Sequence, residues 1–301
     1  MSDLVLAIDV GGTKIAAGVV DGDGSLLRGA VRATPADDAE QAWAQVRSAV
    51  DEVLAGTPSV RAVGIGCAGP VDTGRGTVSP INIGGWRDFP LRARVADLVP
   101  GVPVRLAGDG VCIALGEHWR GAGRSSQHLL GMVVSTGVGG GLVLAGRPFG
   151  GRTGNAGHVG HVVVEPDGLP CTCGGRGCVE TVASGPHLVR WAREHGWQAP
   201  PGADAADLAE AARSGDAVAA AAFERGGRAV GMMIAGVAAV CDLDLVVVGG
   251  GVAKAGPLLF DPVRRALDTH AGLGYLSGLR VVPAELGGEA GLIGAAALLR
   301  P

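Results

Sequence analysis

Leu4-Val5-Leu6-Ala7-Ile8-Asp9-Val10-Gly11-Gly12-Thr13-Lys14 reads as a short buried strand that runs into a glycine turn. Ile15 to Val20 resumes as a second strand, Asp21-Gly22-Asp23-Gly24 is a hairpin signal, and Leu26 to Ala33 supplies a third strand. Ala39 to Leu54 sets Ala42, Val46, Ala49, Val50 and Val53 on one face, the pattern of an amphipathic helix. Ala62 to Cys67 is a fourth strand ending at Ala68-Gly69-Pro70, and Val111 to Trp119 is a helix with Asp109 just before it. The first half therefore reads βββαβα.

The second half opens in the same way. Strands at Leu129 to Ser135 and Leu142 to Leu144 flank the turn Thr136-Gly137-Val138-Gly139-Gly140-Gly141, and Val162 to Glu165 is expected as a further strand. Asp216 to Cys241 reads as one long helix, and Leu243 to Val248 as a strand entering Gly249-Gly250-Gly251. Glu289 to Leu299 closes the chain as a helix. Two similar halves without a short period point to duplication rather than a solenoid. No low-complexity linker separates them, so closely packed, hinged domains are expected.

Composition narrows the function classes. The 301 residues are 47% apolar and 18% charged, which excludes disorder as the main state and suits about two domains. The 54 glycines follow no G-X-Y period, so they mark turns and close backbone approaches rather than collagen. The net charge is −4, the only lysines are Lys14 and Lys254, and there is one tyrosine. Clustered cations and stacking aromatics are missing, so no nucleic-acid partner is expected. Neither a signal peptide nor a membrane span is expected, since the best apolar stretch, Ala229 to Cys241, is shorter than the roughly 20 residues a span needs. A cytoplasmic location is the expectation, because six cysteines in a chain this long make no disulfide scaffold.

Five motifs carry chemistry. The hairpin Asp9 to Lys14 leaves backbone N–H groups at its tip, where Gly11, Gly12 and Thr13 let a phosphate approach, and Asp9 is placed to hold Mg²⁺ through water. Taken alone, an ordinary hairpin is as good a reading. Ser135 to Gly141 repeats the device, and two such turns, with Thr136 and Gly137 in the second, can embrace one triphosphate. The run Val246 to Gly256 fails the dinucleotide-binding register because Lys254 stands where the last glycine belongs, so Gly250 and Gly251 suit a flat adenosine instead. His161, Cys171, Cys173 and Cys178 form the three-thiolate, one-imidazole set of structural zinc, which leaves no open position for activating water. Cys67, Cys112 and Cys241 lie in apolar surroundings and read as core. Asp109 fits a plain N-cap, which alone would win, or a general base that takes a proton from a sugar hydroxyl.

Together these pieces resemble the ROK family of bacterial sugar kinases and sugar-responsive repressors, within the actin-like ATPase superfamily. The family patterns are matched in order by Asp9 to Lys14, Asn82-Ile83-Gly84-Gly85-Trp86, Thr136 to Gly141, Gly160-His161, and Cys171 through Glu180. The resemblance implies an α/β, two-domain actin-like (ribonuclease H-like) fold with an ATP and sugar cleft between domains. A small domain would span residues 1–118 with helix 289–301 joined to it, and a large one 119–288 with the zinc loop. It implies Mg-ATP and structural Zn²⁺, with Asp109 as the catalytic base for a hexose 6-hydroxyl. Asn82, Asp109, His161 and Glu180 would be sugar contacts, and the family suggests dimers or tetramers.

Two positions depart from the pattern. Gly108 replaces the asparagine usual before the catalytic aspartate, and His158 replaces the glutamate usual in E-x-G-H. A neutral His158 accepts one hydrogen bond where a carboxylate accepts more, so His158 stands as an altered substrate contact. The sugar is then either glucose or an aminohexose such as glucosamine or 3-amino-3-deoxyglucose, with an N-acylhexosamine as the alternative. A repressor or a sugar-binding protein with weak catalysis is the competing class. The first strand begins at Leu4 with no winged helix before it, and Asp9, Asp109 and both turns are intact, which favours the kinase. ATP and polyphosphate both remain open as donors.

Overall fold

The computed structural model describes residues 3–35 and 38–300. The chain divides into two compact units, one of residues 1–125, 141–157 and 285–301, the other of residues 126–140 and 158–284. Pro301, the last residue of the expected closing helix, lies outside the described residues.

The first unit begins with β1 (Val5–Val10), β2 (Lys14–Val20), β3 (Leu26–Ala33), α1 (Ala39–Leu54) and β4 (Ala62–Cys67). The short pair β5 (Val71–Asp72) and β6 (Thr77–Val78) follows, then α2 (Leu91–Leu98), β7 (Val104–Gly108) and α3 (Asp109–Arg120). Its sheet has the order β3-β2-β1-β4-β7. The β1–β2 hairpin is antiparallel, while β1, β4 and β7 are parallel. One face of the sheet buries Leu6, Ile8, Ile15 and Ile65 in a core shared with Ala42, Val46 and Val50 of α1. The helical spacing of those three residues is what puts them on one stripe. Asp38 caps α1 by accepting from the Glu40 and Gln41 amides.

The rest of the chain supplies β8 (Leu129–Val134), β9 (Val138–Leu144), β10 (Arg147–Phe149), α4 (Glu180–Ala183), α5 (Gly185–Glu194), α6 (Ala205–Arg213) and α7 (Ala217–Cys241). It continues with β11 (Leu245–Gly249), α8 (Pro257–His270), β12 (Arg280–Pro283) and α9 (Ala290–Ala297), the last in the first unit. The second sheet runs β10-β9-β8-β11-β12, with β8, β11 and β12 parallel. It repeats the first in kind: a hairpin edge, then a parallel trio. Among the described residues, no helix is long and apolar enough to cross a membrane.

Some expectations change. Val162 to Glu165 is not a strand. The Val164 and Glu165 amides both donate to the Gly177 carbonyl (2.9 and 3.1 Å), and Val163 makes only an isolated bridge to Cys178. The segment wraps the cysteine loop instead of joining a sheet. Cys67 and Cys112 are buried as expected, but Cys241, the last residue of α7, is only half-buried. The short strand β7 and helix α8 were not legible. Pro262 sits inside α8, and it packs on α7 at Gly227, where a Cβ would come within 2.7 Å of the proline Cβ. That packing offsets a residue that costs a helix about 3 kcal/mol.

Glycines set the closest helix contacts in the first unit. A Cβ at Gly116 of α3 would lie 2.3 Å from the Ala290 carbonyl oxygen, and one at Gly294 of α9 would lie 1.6 Å from that of Cys112. Near the end of α3, Glu117 is fully buried. Its carboxylate accepts from the backbone amides of Ala122 (2.9 Å), Glu285 (3.2 Å) and Leu286 (2.9 Å). Three charge-assisted bonds compensate the burial and fasten α3 to the segment that enters α9.

Candidate active site

The parallel register of the first unit brings two carboxylates and a thiol to one sheet edge. Asp9 pairs with Gly66, Val10 with Cys67, and Cys67 with Gly108, the last residue of β7. Asp109 then starts α3, so Asp9, Cys67 and Asp109 stand at the carboxyl ends of three neighbouring strands. In open α/β sheets that edge is where ligands bind. Gly108 occupies the cap position with an extended backbone, and Asp109 is the first helical residue rather than the N-cap. Its Oδ1 accepts from the Gly110 amide at 2.7 Å, and its charge is favoured at the positive end of the helix.

Asp9 is partly accessible, but its carboxylate packs against Gly291, where a Cβ would come within 2.4 Å of Oδ2, and lies near Gly66, where one would be 3.6 Å from Oδ1. Burial, then the charge of Asp109, pushes its carboxyl up to about 7, against a smaller opposing pull from Lys14. The folded value lies above that of the unfolded chain. The contribution of Asp9 to the stability of the ligand-free protein is therefore fully present below about pH 4 and is lost as pH rises to about 7. Asp9→Asn is expected to match the parent in thermal melts at pH 4 and to exceed it at pH 8 by up to about 4 kcal/mol. Equal stability at pH 8 would contradict this origin of the shift. The Cys67 and Cys112 thiols beside it are pushed well above their usual range by burial, which keeps them protonated core groups.

The first glycine turn is closed by the Gly11 amide donating to the Lys14 carbonyl at 2.9 Å. Thr34 holds it from outside, its hydroxyl donating to the Gly11 carbonyl and its amide to that of Thr13. Thr13 and Lys14 are exposed. Asn82 lies on the turn, since a Cβ at Gly12 would be 2.6 Å from the Asn82 Cβ. The surrounding motif acts as a mount for Asn82. Ile83 and Trp86 are fully buried, the Trp86 indole donates to the Ala39 carbonyl at 3.0 Å, and Gly85 packs on the start of α1.

In the second unit the glycine run divides. Only Ser135, Thr136 and Gly137 form the turn, because Gly139, Gly140 and Gly141 lie within β9. A Cβ at Gly140 would be 2.9 Å from the Gly131 carbonyl oxygen, so the neighbouring strand requires that glycine. Within the first unit, a Cβ at Gly141 would be 2.4 Å from the Cα of Val111 in α3. Gly137 faces Glu180, whose Oε2 would be 2.8 Å from an added Cβ. Gly250 has φ +95° and backs onto the end of β8, where a Cβ would be 2.3 Å from the Val134 carbonyl oxygen.

A cavity of about 640 Å³ opens on this turn, within the range of small-molecule sites. Thr136 and Gly251 line it, whereas Gly137 and Gly250 do not. The remaining expected nucleotide residues, Asp9 and Gly11 to Lys14, belong to the first unit. The sequence reading missed Pro186, Val189, Arg190, Arg193 and Lys254, which supply its apolar and cationic lining. Arginines spaced i, i+3 on an amphipathic helix are common on solvated faces, so no local signal distinguishes them.

The third part is the sulfur cluster. The ligand atoms of His161, Cys171, Cys173 and Cys178 all lie within 4.8 Å of one another. Cys171 Sγ is 3.6 Å from His161 Nδ1, and Cys173 Sγ is 3.7 Å from Cys178 Sγ. A tetrahedral zinc ion with bonds of about 2.0–2.3 Å spaces its N and S ligands by roughly 3.5–3.8 Å. The donor set and these edges fit that ion. Burial and the neighbouring sulfurs push the Cys178 thiol up to about 12, so binding a cation displaces protons. His158 is exposed, its ring 6.2 Å from that of His161 by centroids.

Comparison with known proteins adds the following. The model of the ROK family matches residues 5–301. The glucokinase of Thermotoga maritima is 35% identical over 98% of this chain and 97% of its own length. An N-acetylmannosamine kinase of Yersinia pseudotuberculosis is 37% identical over 83% of each chain. A solved ROK family glucokinase from Streptomyces griseus, in complex with glucose and AMPPNP, is 39% identical and superposes with a TM-score of 0.85 over 98% of both chains.

Proposed function

The chain belongs to the ROK family and has the actin-like fold, and on that premise we propose that it is an ATP-dependent hexose kinase acting on a 6-hydroxyl. The observation that carries this reading is the placement of Asp109. A carboxylate at a helix start, on the ligand-binding edge of a parallel sheet and beside a second acid, is suited to accept a hydroxyl proton. We assign the sugar hydroxyls to Asn82, Asp109, His158, His161 and Glu180. Phosphate contacts fall to the amides of Gly12 and Thr13, to Lys14, and to the turn at Thr136 and Gly137, whereas the Gly11 amide is committed to the Lys14 carbonyl and shapes the turn. The adenosine would occupy the cavity beside Gly251, with Gly250 setting the backbone behind it. Mg²⁺ enters with ATP as part of the substrate, and Asp9 is the group that holds it through water.

Catalysis in such a site is positioning and charge stabilisation. Asp109 orients the 6-oxygen and takes its proton as that oxygen attacks the γ-phosphorus and the bond to the β-phosphate oxygen breaks. The zinc cluster would only brace its loop, since four protein ligands leave no site for a reacting water.

Gly108 favours a particular choice of sugar. A Cβ there would meet nothing nearer than the Gly154 carbonyl oxygen at 4.0 Å, so the space beside Asp109 is open. That room suits a substituent larger than hydroxyl, which supports an aminohexose and, as a second reading, an N-acylhexosamine. ADP release with Mg-ATP, measured across glucose, mannose, glucosamine, 3-amino-3-deoxyglucose, N-acetylglucosamine and N-acetylmannosamine, tests both. Preference for an amino or N-acyl sugar, with Gly108→Asn shifting it toward glucose, is the expected result. Glucose foremost, unaffected by that substitution, would assign a glucokinase, and no turnover with any of these sugars would overturn the ATP-dependent reading in favour of another donor, another sugar or a sugar-binding protein.

A further inference from the structure

The Val138 peptide, where the second glycine turn enters β9, is gripped from both sides by the cysteine loop. Its amide donates to Glu180 Oε2 at 2.9 Å. Its carbonyl oxygen lies against Gly160, where a Cβ would come within 1.8 Å. Gly160 precedes the metal-ligating candidate His161, and Glu180 follows Cys178 by two residues. The Thr181 amide and hydroxyl both donate to the Cys178 carbonyl, at 2.9 and 2.8 Å, which fixes α4 and Glu180 at its head. Glu180 Oε1 has no hydrogen-bond partner among the described residues and is not sealed from solvent.

We infer that Glu180 is a positioning residue for the nucleotide turn, one carboxylate oxygen holding Ser135–Val138 in shape while the other is left for a substrate hydroxyl. This inference rests on the kinase reading. Gly137 is then required by Glu180 as much as by phosphate, because any Cβ there would displace the carboxylate. One side chain serves both ligands, so an ordered turn favours the sugar and a bound sugar favours the turn. By linkage the two affinities rise together.

The test compares wild type, Glu180→Ala, Glu180→Gln and Gly137→Ala. It measures AMPPNP binding by calorimetry with and without sugar, steady-state kinetics, and zinc content as a check on the loop. A hydrogen bond to a charged group is worth about 1.5–3 kcal/mol, so Glu180→Ala should weaken AMPPNP binding roughly tenfold or more even without sugar. Gly137→Ala should do the same. Glu180→Gln keeps an acceptor for the Val138 amide and should restore most of the AMPPNP affinity while leaving the KM for sugar raised. Wild type should bind AMPPNP more tightly with sugar present, and Glu180→Ala should lose that gain.

If Glu180→Ala raises only the KM for sugar and binds AMPPNP like wild type, the inference is overturned while the kinase stands. If wild type turns over no sugar but AMPPNP binding follows the pattern above, the kinase reading fails and the positioning role survives. Wild type that binds no AMPPNP overturns both.

Discussion

Asp109→Asn is expected to bind sugar and ATP about as well as wild type and to turn over at ~1% or less of its rate. The substitution keeps the size and the hydrogen bond from the Gly110 amide (2.7 Å), so the head of α3 should hold its shape. What it removes is a base at the position of the attacking hydroxyl, worth typically 10²–10⁴-fold. The loss should appear in kcat, with the KM values for both substrates within a few-fold of wild type. A variant with near-normal kcat would show that the proton leaves by another route. Altered KM values with unchanged kcat would make Asp109 a binding group only.

Removal of the metal is expected to have the largest effect on structure. Elemental analysis should find about one zinc per chain, as four ligands for one tetrahedral ion require. Such sites supply roughly 10–16 kcal/mol in small zinc peptides. The loop from Val159 to Glu180 contains almost no regular structure, only a single helical turn and isolated bridges. Chelation, or Cys171→Ser, should lower the melting temperature by roughly 10 °C or more. It should also open hydrogen exchange across that loop before the sheets. Proton release on adding zinc back should rise with the fraction of thiol protonated, as expected from a Cys178 thiol pushed up to about 12. A metal-free preparation with an unchanged melt and a protected loop would refute the zinc assignment.

Much of this was legible in local patterns. The β1–β2 hairpin and β4 follow from short apolar runs bounded by turns, and α1 from period-3.6 spacing, and each lies where its apolar residues put it. The four metal-ligating candidates were readable because ligand type and spacing are restrictive, and the structure brings all four together. The glycine run from Gly137 to Gly141 was legible as important but misread in detail. From sequence all four glycines look like a phosphate turn. In the structure Gly140 and Gly141 are required by neighbouring backbone, and a Cβ at Gly137 would press on the Glu180 carboxylate. A missing side chain carries no record of what occupies its place.

The sequence by itself determined the two-fold repeat of strand, glycine turn and strand, the acids at Asp9 and Asp109, and the four metal-ligating candidates. These depend on residue type and short spacing, which the chain carries locally. Only the tertiary structure decided that Asp9 and Asp109 share one sheet edge, since parallel register joins residues a hundred positions apart. It alone placed Arg190 and Lys254 on the cavity at Thr136, joined buried Glu117 to the distant amides of Glu285 and Leu286, and set Glu180 against the turn. Such contacts are fixed by packing of whole elements against each other, and no local periodicity encodes which partner a side chain will meet.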